Sequence, residues 1–148
     1  MLQEHIEKLI STGYKLIALE TNSPEQSVND FRPLVREGKA IYAWESNTGL
    51  RRIEASHISI PNTQTPELVI NHILQSKHFG IYLLVGFSKA INQVSLRPIY
   101  KQFVADKKNN KIIIFIDSHF DYPHSLMSNI LIAQEPEVRD NAMTNQTA

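Results

Sequence analysis

Apolar residues along this chain occur in short uninterrupted runs separated by more polar stretches. The runs lie at residues 14–20, 39–45, 80–87 and 111–117, with a shorter one at 129–133. Runs of this length, rich in Ile, Leu, Val and aromatic residues, are typical of strands buried on both faces of a parallel sheet. They predict a mainly parallel sheet of about five strands. After the second run, "SNTG" predicts a turn, and "LRRIEASHISI" an extended arm or hairpin.

Helical spacing fills the intervals between these runs. Apolar positions three and four residues apart recur from Leu2 to Ile10, Val28 to Val35, Leu68 to Leu74, and Ile99 to Val104. Helices that alternate with parallel strands predict an α/β fold with three layers, Rossmann-like or P-loop-like, with helices on both faces of the sheet. We expect a single domain over residues 1–136 and a polar C-terminal tail, without fixed structure, over residues 137–148.

Local signals place the boundaries of the second helix. Ser23 and Gln26 match a capping box, and Pro24 stands at the first helical position, so together they predict a helix start. Pro33 lies inside the apolar pattern that continues from this start. It should kink the helix or end its regular part near Arg32.

The composition is that of a soluble globular protein. The chain has 148 residues, 42% of them hydrophobic and 20% charged, which is enough for one well-buried core. Lys plus Arg and Asp plus Glu both number 15, so the formal net charge is zero. A neutral chain lacks the long-range attraction that nucleic-acid binders exert on phosphate, and we expect no such partner. Neutrality also mildly favours self-association, and a homo-oligomer fits this composition.

The absence of cysteine excludes disulfides, thiolate nucleophiles and cysteine-based zinc sites. Glu4 and Glu7 interrupt the N-terminal segment, which therefore does not match a signal peptide. No apolar stretch approaches the roughly 20 residues that span a bilayer. We expect a cytoplasmic protein without a membrane partner.

Ligands of open α/β sheets usually bind beyond the carboxyl ends of the strands. At the end of the first strand a nucleotide-binding sheet would carry a glycine-rich loop, because backbone amides must approach the phosphates closely. This chain has "ETNSPEQS" there, with two glutamates and neither glycine nor lysine. The third strand ends in Gly86, where an ATPase would hold magnesium with a carboxylate. We therefore predict no nucleotide cofactor and no catalysis of phosphoryl transfer. Nucleotide binding without hydrolysis remains a weaker alternative.

The segment "DSHFDYPHS" offers the other candidate chemistry. Its acidic and imidazole side chains are the residue types that bind zinc or non-haem iron, at Asp117, His119, Asp121 and His124. Their spacing matches no common metal signature, and turn chemistry alone accounts for Asp, Ser and Pro at this position. We favour the turn. A small metal-dependent hydrolase stays as the alternative, with a metal-bound water as its nucleophile.

The order of these segments resembles the N-terminal domain of a bacterial and plastid AAA-type ATPase family, first known as a conserved chloroplast reading frame. The similar stretches are "LISTGYKLIALET", "AIYAWESNTGLRRI", "TPELVINHIL", "GIYLLVGF" and "KIIIFIDSHFDYPHSL". The second, with its "W…TGLRR" core, is the most specific. The chain departs from the family pattern at Gly86, where an aspartate is common, and at "DSHFD", a more polar strand exit.

The resemblance implies a degenerate P-loop-like fold without its own nucleotide site, here a stand-alone and non-catalytic relative. Its role would then be regulation or protein–protein interaction, with a protein partner or a second copy of the chain. The surface implied for this contact comprises Trp44, Glu45, Thr48, Gly49, Arg51 and Arg52. From the residues alone, a core position, or a half-buried one at a strand end, is favoured for Trp44 over an interface anchor.

Overall fold

A computed structural model describes residues 3–135. They form one six-stranded sheet in the order β3-β2-β4-β5-β1-β6. The strands are β1 Leu16–Glu20, β2 Ile41–Glu45, β3 Gly49–Arg52, β4 Gly80–Val85, β5 Lys111–Asp117 and β6 Ile130–Gln134. All neighbours pair in parallel except β2 and β3, which form an antiparallel hairpin. The mainly parallel α/β prediction is confirmed, and the extended arm after the second run is the additional edge strand β3.

The helices are α1 Gln3–Ile10, α2 Pro24–Asn29, α3 Pro33–Arg36, α4 Pro66–Gln75 and α5 Arg97–Ala105. They pack on both faces of the sheet and divide the core in two. On one face, α4 and α5 bury Ile73 and Tyr100 against β4 and β5. On the other face, α1 to α3 bury Ile6, Phe31 and Leu34. The three-layer, Rossmann-like architecture is thus present.

The structure confirms the predicted start of α2 at Pro24 but not the predicted capping box. Ser23 occupies the N-cap position, but its side chain makes no capping hydrogen bond. Its backbone N–H instead bonds to Thr21 Oγ1 at 3.0 Å, which draws it into the turn after β1. The capping box was therefore wrong. The predicted break at Pro33 is confirmed, because α2 ends at Asn29 and α3 begins at Pro33.

A buried lysine links the sheet to the end of α4. Lys111, the first residue of β5, is only 6% exposed. Its ammonium donates to the carbonyls of Ile73 at 2.6 Å, Leu74 at 3.1 Å and Ser76 at 2.5 Å. These carbonyls lie at the helix C-terminus, which lacks intrahelical donors and carries partial negative charge. A charged side chain thus closes a helix end inside the core.

Within residues 3–135, no helix is long and apolar enough to cross a membrane. The predicted tail at residues 137–148 lies outside the described residues.

Candidate functional site at the carboxyl edge

The chain leaves the neighbouring strands β1 and β5 toward opposite faces of the sheet. After β1 it packs Phe31 and Leu34 into one core cluster. After β5 it packs Phe120 and Leu126 into the other. A crevice at the carboxyl ends of two such strands is the usual ligand position in open α/β sheets. We call this end of the sheet, where Glu20 pairs in register with Asp117, the carboxyl edge.

Two side chains from elsewhere in the chain hold the carboxylate at the end of β1. The hydroxyl of Tyr122 donates to Glu20 Oε2 at 2.6 Å, and Gln134 Nε2 donates to Oε1 at 3.2 Å. Burial, reinforced by the hydrogen bond to Glu20, raises the pKa of Tyr122 above its ordinary value. The phenol therefore remains a donor at neutral pH, and both oxygens of Glu20 are engaged.

A second carboxylate lies against the turn that leaves β1. Ser27, which is fully buried, donates from Oγ to Glu135 Oε1 at 2.5 Å. Thr21 is also buried, and its Oγ1 lies 3.3 Å from the same hydroxyl. Burial alone would raise the pKa of Glu135, but several interactions together, among them hydrogen bonds from Ser27 and Thr21, outweigh it and lower that pKa. An ionised carboxylate is thus seated on buried hydroxyls of this turn.

The end of β4 contributes no ionisable side chain to the carboxyl edge. Gly86 follows the strand with a φ of +91°, a conformation that glycine adopts without strain. The next residue, Phe87, is fully buried and packs edge-on against Trp44 with ring centroids 5.1 Å apart. A glycine and a buried aromatic ring thus shape the turn after β4.

The proposed metal cluster does not assemble. Its four residues were Asp117, His119, Asp121 and His124. Within residues 3–135, no group of three or more His, Asp or Glu side chains lies close enough to hold a metal ion. Asp117 instead accepts the backbone N–H of Ser118 at 2.8 Å, and Asp121 accepts Asn92 Nδ2 at 3.1 Å. These contacts are those of turn residues, and the hydrolase alternative has no geometric support in this region.

Two residues of the predicted partner surface are structural. Trp44 is 1% exposed, and its indole Nε1 donates to the carbonyl of Thr63 at 2.5 Å. Gly49 is buried with a φ of +89°, and a Cβ there would lie 3.0 Å from Thr63 Oγ1. Both residues thus help to fix the loop that returns from the hairpin, and their assignment to a partner surface stays a prediction.

The other four predicted residues lie at the surface; we call Glu45, Thr48, Arg51 and Arg52 the hairpin surface. The side chains of Glu45 and Arg52 are 48% and 43% exposed, and that of Arg51 is 17% exposed. Arg51 lies 3.6 Å from Glu45, and Arg52 lies 2.6 Å from Glu54. Arg52 also stacks over the ring of Tyr42 at 5.5 Å. The arginines are therefore ordered by neighbours rather than free.

Two of the contacts that shape the carboxyl edge could not be predicted from the sequence. Ser27 and Glu135 are 108 positions apart, and Glu20 and Tyr122 are 102 positions apart. Neither pair belongs to a motif with fixed spacing. The parallel order of β1, β5 and β6 brings them together, so they become visible only once the strand order is known.

The sequence of this chain matches one known family of domains. The family model of the SpoVK-like AAA ATPase N-terminal domain matches residues 2–134, nearly the whole of the described region. No curated protein and no solved structure gave a match. Since the family model covers far more than half of the chain, the chain belongs to the family of SpoVK-like AAA ATPase N-terminal domains.

Proposed function

We propose that this domain is a non-catalytic module that acts through protein–protein contact, in regulation or assembly, and binds no nucleotide of its own. We further propose that its fold is a P-loop-like scaffold whose phosphate site has been replaced. The closer relation to the bacterial and plastid family stays a prediction, as does a cytoplasmic location.

The observation that carries the proposal is the pair of carboxylates at the turn leaving β1. Glu20 ends the strand, and Glu135 is bonded to Ser27 within the turn. Two like charges about 4 Å apart repel by about 4 kcal/mol at an effective dielectric of about 20. That repulsion corresponds to a loss of about a thousandfold in affinity. A phosphate placed this close to Glu20 would meet repulsion of this order, and the turn contains no glycine-rich loop and no lysine that would bind it.

A nucleotide assay tests the non-catalytic part. We expect millimolar Mg·ATP to leave the melting temperature unchanged, and no phosphate release above buffer. A ligand present at 100 times its dissociation constant would add about 2.7 kcal/mol of stability, which a thermal scan detects readily. A saturable shift with Mg·ATP that is lost in Ser27→Ala would contradict the proposal, since Ser27 lies at the centre of this turn.

The hairpin surface is our candidate for the protein contact. Ser59 Oγ bonds to the carbonyl of Thr48 at 2.9 Å, so the loop carrying Ile58 lies beside the hairpin. Ile58 is 60% exposed, and Arg52 and Glu45 are also accessible. An exposed apolar side chain near an ordered arginine and a carboxylate is the mixture found at transient interfaces.

Charge reversal tests this surface. Affinity capture with the wild type, Arg52→Glu and Lys101→Glu compares a change on the hairpin surface with a matched change on the exposed side of α5. We expect a captured protein that is lost with Arg52→Glu and retained with Lys101→Glu. Thermal melts should show all three proteins folded, because exposed ion pairs such as Arg52–Glu54 contribute little to stability. Identical capture by all three would refute the assignment.

A further inference from the structure

The structure points to β6 as a self-association edge: we infer that two copies of this chain pair antiparallel along Ile130–Gln134. The inference rests on the proposed role in protein contact. It adds a second contact surface, the β6 edge, at which another copy of the chain binds.

Within residues 3–135, the outer backbone groups of β6 have no partner strand. The strand pairs in parallel with β1, and Glu135 N–H bonds to the carbonyl of Glu20 at 3.1 Å. Backbone groups of successive residues point to alternate sides of a strand. The backbone N–H and C=O groups of Leu131 and Ala133 therefore point toward β1. Those of Ile130, Ile132 and Gln134 point away from the sheet. Among residues 3–135, no strand pairs with this outer side.

The opposite edge of the sheet is protected, which makes the contrast informative. On β3, Leu50 donates its N–H to Thr63 Oγ1 at 2.8 Å, and its carbonyl accepts the N–H of Ile60 at 2.7 Å. Two arginines, Arg51 and Arg52, complete that strand. Covering loops and charged residues are the usual means by which proteins keep an edge from pairing with another chain.

β6 lacks the charged residues that protect β3. Its sequence, ILIAQ, contains no charge and no proline. Ile132 is 38% exposed and Met127, shortly before the strand, is 45% exposed. The formal net charge of the whole chain is zero, so two copies approach without overall repulsion. An uncharged, apolar edge of this kind is a template for strand addition.

A two-fold axis at Ile132 satisfies the outward groups of both copies. Ile132 then faces Ile132 of the second copy, and Ile130 faces Gln134. In an antiparallel ladder, residues facing each other in this way exchange both N–H···O bonds. Glu135 lies opposite Asn129, so no like charges meet across the axis. Such a contact is closed and self-complementary, as a symmetric dimer requires.

The test is the molar mass of the full chain by light scattering after size exclusion, from micromolar to millimolar concentration. Three proteins are compared: wild type, Ile132→Lys, and Val94→Lys as a control at an exposed β-branched residue (71% exposed) away from β6 and from the hairpin surface. Wild type and Val94→Lys should approach twice 16.9 kDa, and Ile132→Lys should stay at 16.9 kDa. Amide exchange on the wild type gives a reading that depends on no variant. The amides of Ile130, Ile132 and Gln134 should exchange more slowly as concentration rises.

Three results would overturn the inference. One is a wild type that stays monomeric at millimolar concentration. Another is a dimer that persists equally in Ile132→Lys and Val94→Lys. The third is protection of the three outward amides that does not depend on concentration, which would show that another part of the same chain occupies the edge. None of these results changes the expected outcome of the nucleotide assay. Failure of the dimer and failure of the non-catalytic proposal are therefore distinguishable.

Discussion

Replacing Lys111 with Met tests whether a buried ammonium holds the end of α4. Methionine keeps an unbranched stem of similar length, so packing against the core is largely retained, and only the charged donor is lost. The ammonium is bonded to the carbonyls of Ile73, Leu74 and Ser76 at 3.1 Å or less. Burial lowers the pKa of Lys111, and this effect is partly opposed by Asp106. The lysine is thus held at some desolvation cost, which its hydrogen bonds must outweigh.

The structure sets the expected magnitude. Ile73 keeps a second partner, because its carbonyl also accepts the N–H of Ser76 at 3.2 Å. The carbonyls of Leu74 and Ser76 lose the lysine donor, at about 1 kcal/mol each for partly buried groups. Loss of a cation at a helix C-terminus adds about 0.5 kcal/mol. Part of this sum is offset because a buried charge is no longer desolvated. We expect a net loss of about 2 kcal/mol.

Urea unfolding measures this loss directly. The midpoint should fall while the dependence of the free energy of unfolding on urea stays unchanged, which shows that the fold itself is retained. Lys101→Met, on the exposed side of α5, serves as the control and should stay within about 0.5 kcal/mol of wild type. If Lys111→Met were as stable as this control, the ammonium would not be holding the helix end, and the reasoning would be refuted.

Three further substitutions give distinct outcomes. The hydroxyl of Tyr100 is fully buried and has no hydrogen-bond partner among the described residues, so Tyr100→Phe should match or exceed wild-type stability in urea; a loss above about 1 kcal/mol would reveal a hidden partner. Gly49→Ala places a methyl group 3.0 Å from Thr63 Oγ1 at a positive φ and should cost about 2 kcal/mol by the same assay; an unchanged midpoint would contradict the strained geometry. Glu135 has a lowered pKa in the folded state, so its contribution is present above the unfolded pKa of about 4.3 and is lost as pH falls through the folded pKa. Glu135→Gln should therefore be less stable than wild type at pH 7 and lose less stability on acidification; parallel pH profiles of the two proteins would disprove this role.

The regular elements were predictable because each rests on a local pattern. The apolar runs became β1, β2, β4, β5 and β6, since a strand buried on both faces needs no polar alternation. Pro33 ended the regular part of α2 for the covalent reason that it lacks a backbone N–H.

The failures also have physical causes. Ser23 was expected to cap α2, but the side chain of Thr21 accepts its N–H and takes it into the turn. Trp44 was assigned to the partner surface because it belongs to the segment that carries the most specific part of the family resemblance. The structure buries it under the loop that ends at Thr63. At Ser23 a specific polar contact overrode a pattern that was itself correctly identified.

The carboxyl edge depended on contacts between distant parts of the chain. That the turn after β1 lacks a phosphate loop was readable from its residues. The contact between Glu135 and Ser27 could not be predicted from the sequence, because it depends on β6 lying next to β1.

The central claim is that the turn leaving β1 is closed to phosphate by the carboxylates of the chain itself. An NMR titration of the labelled protein with Mg·ATP tests it most directly, by following the backbone amides of residues 20–27. The account predicts that none of these amides shifts at millimolar nucleotide. Saturable shifts confined to these residues would show a nucleotide bound at the turn and would contradict it.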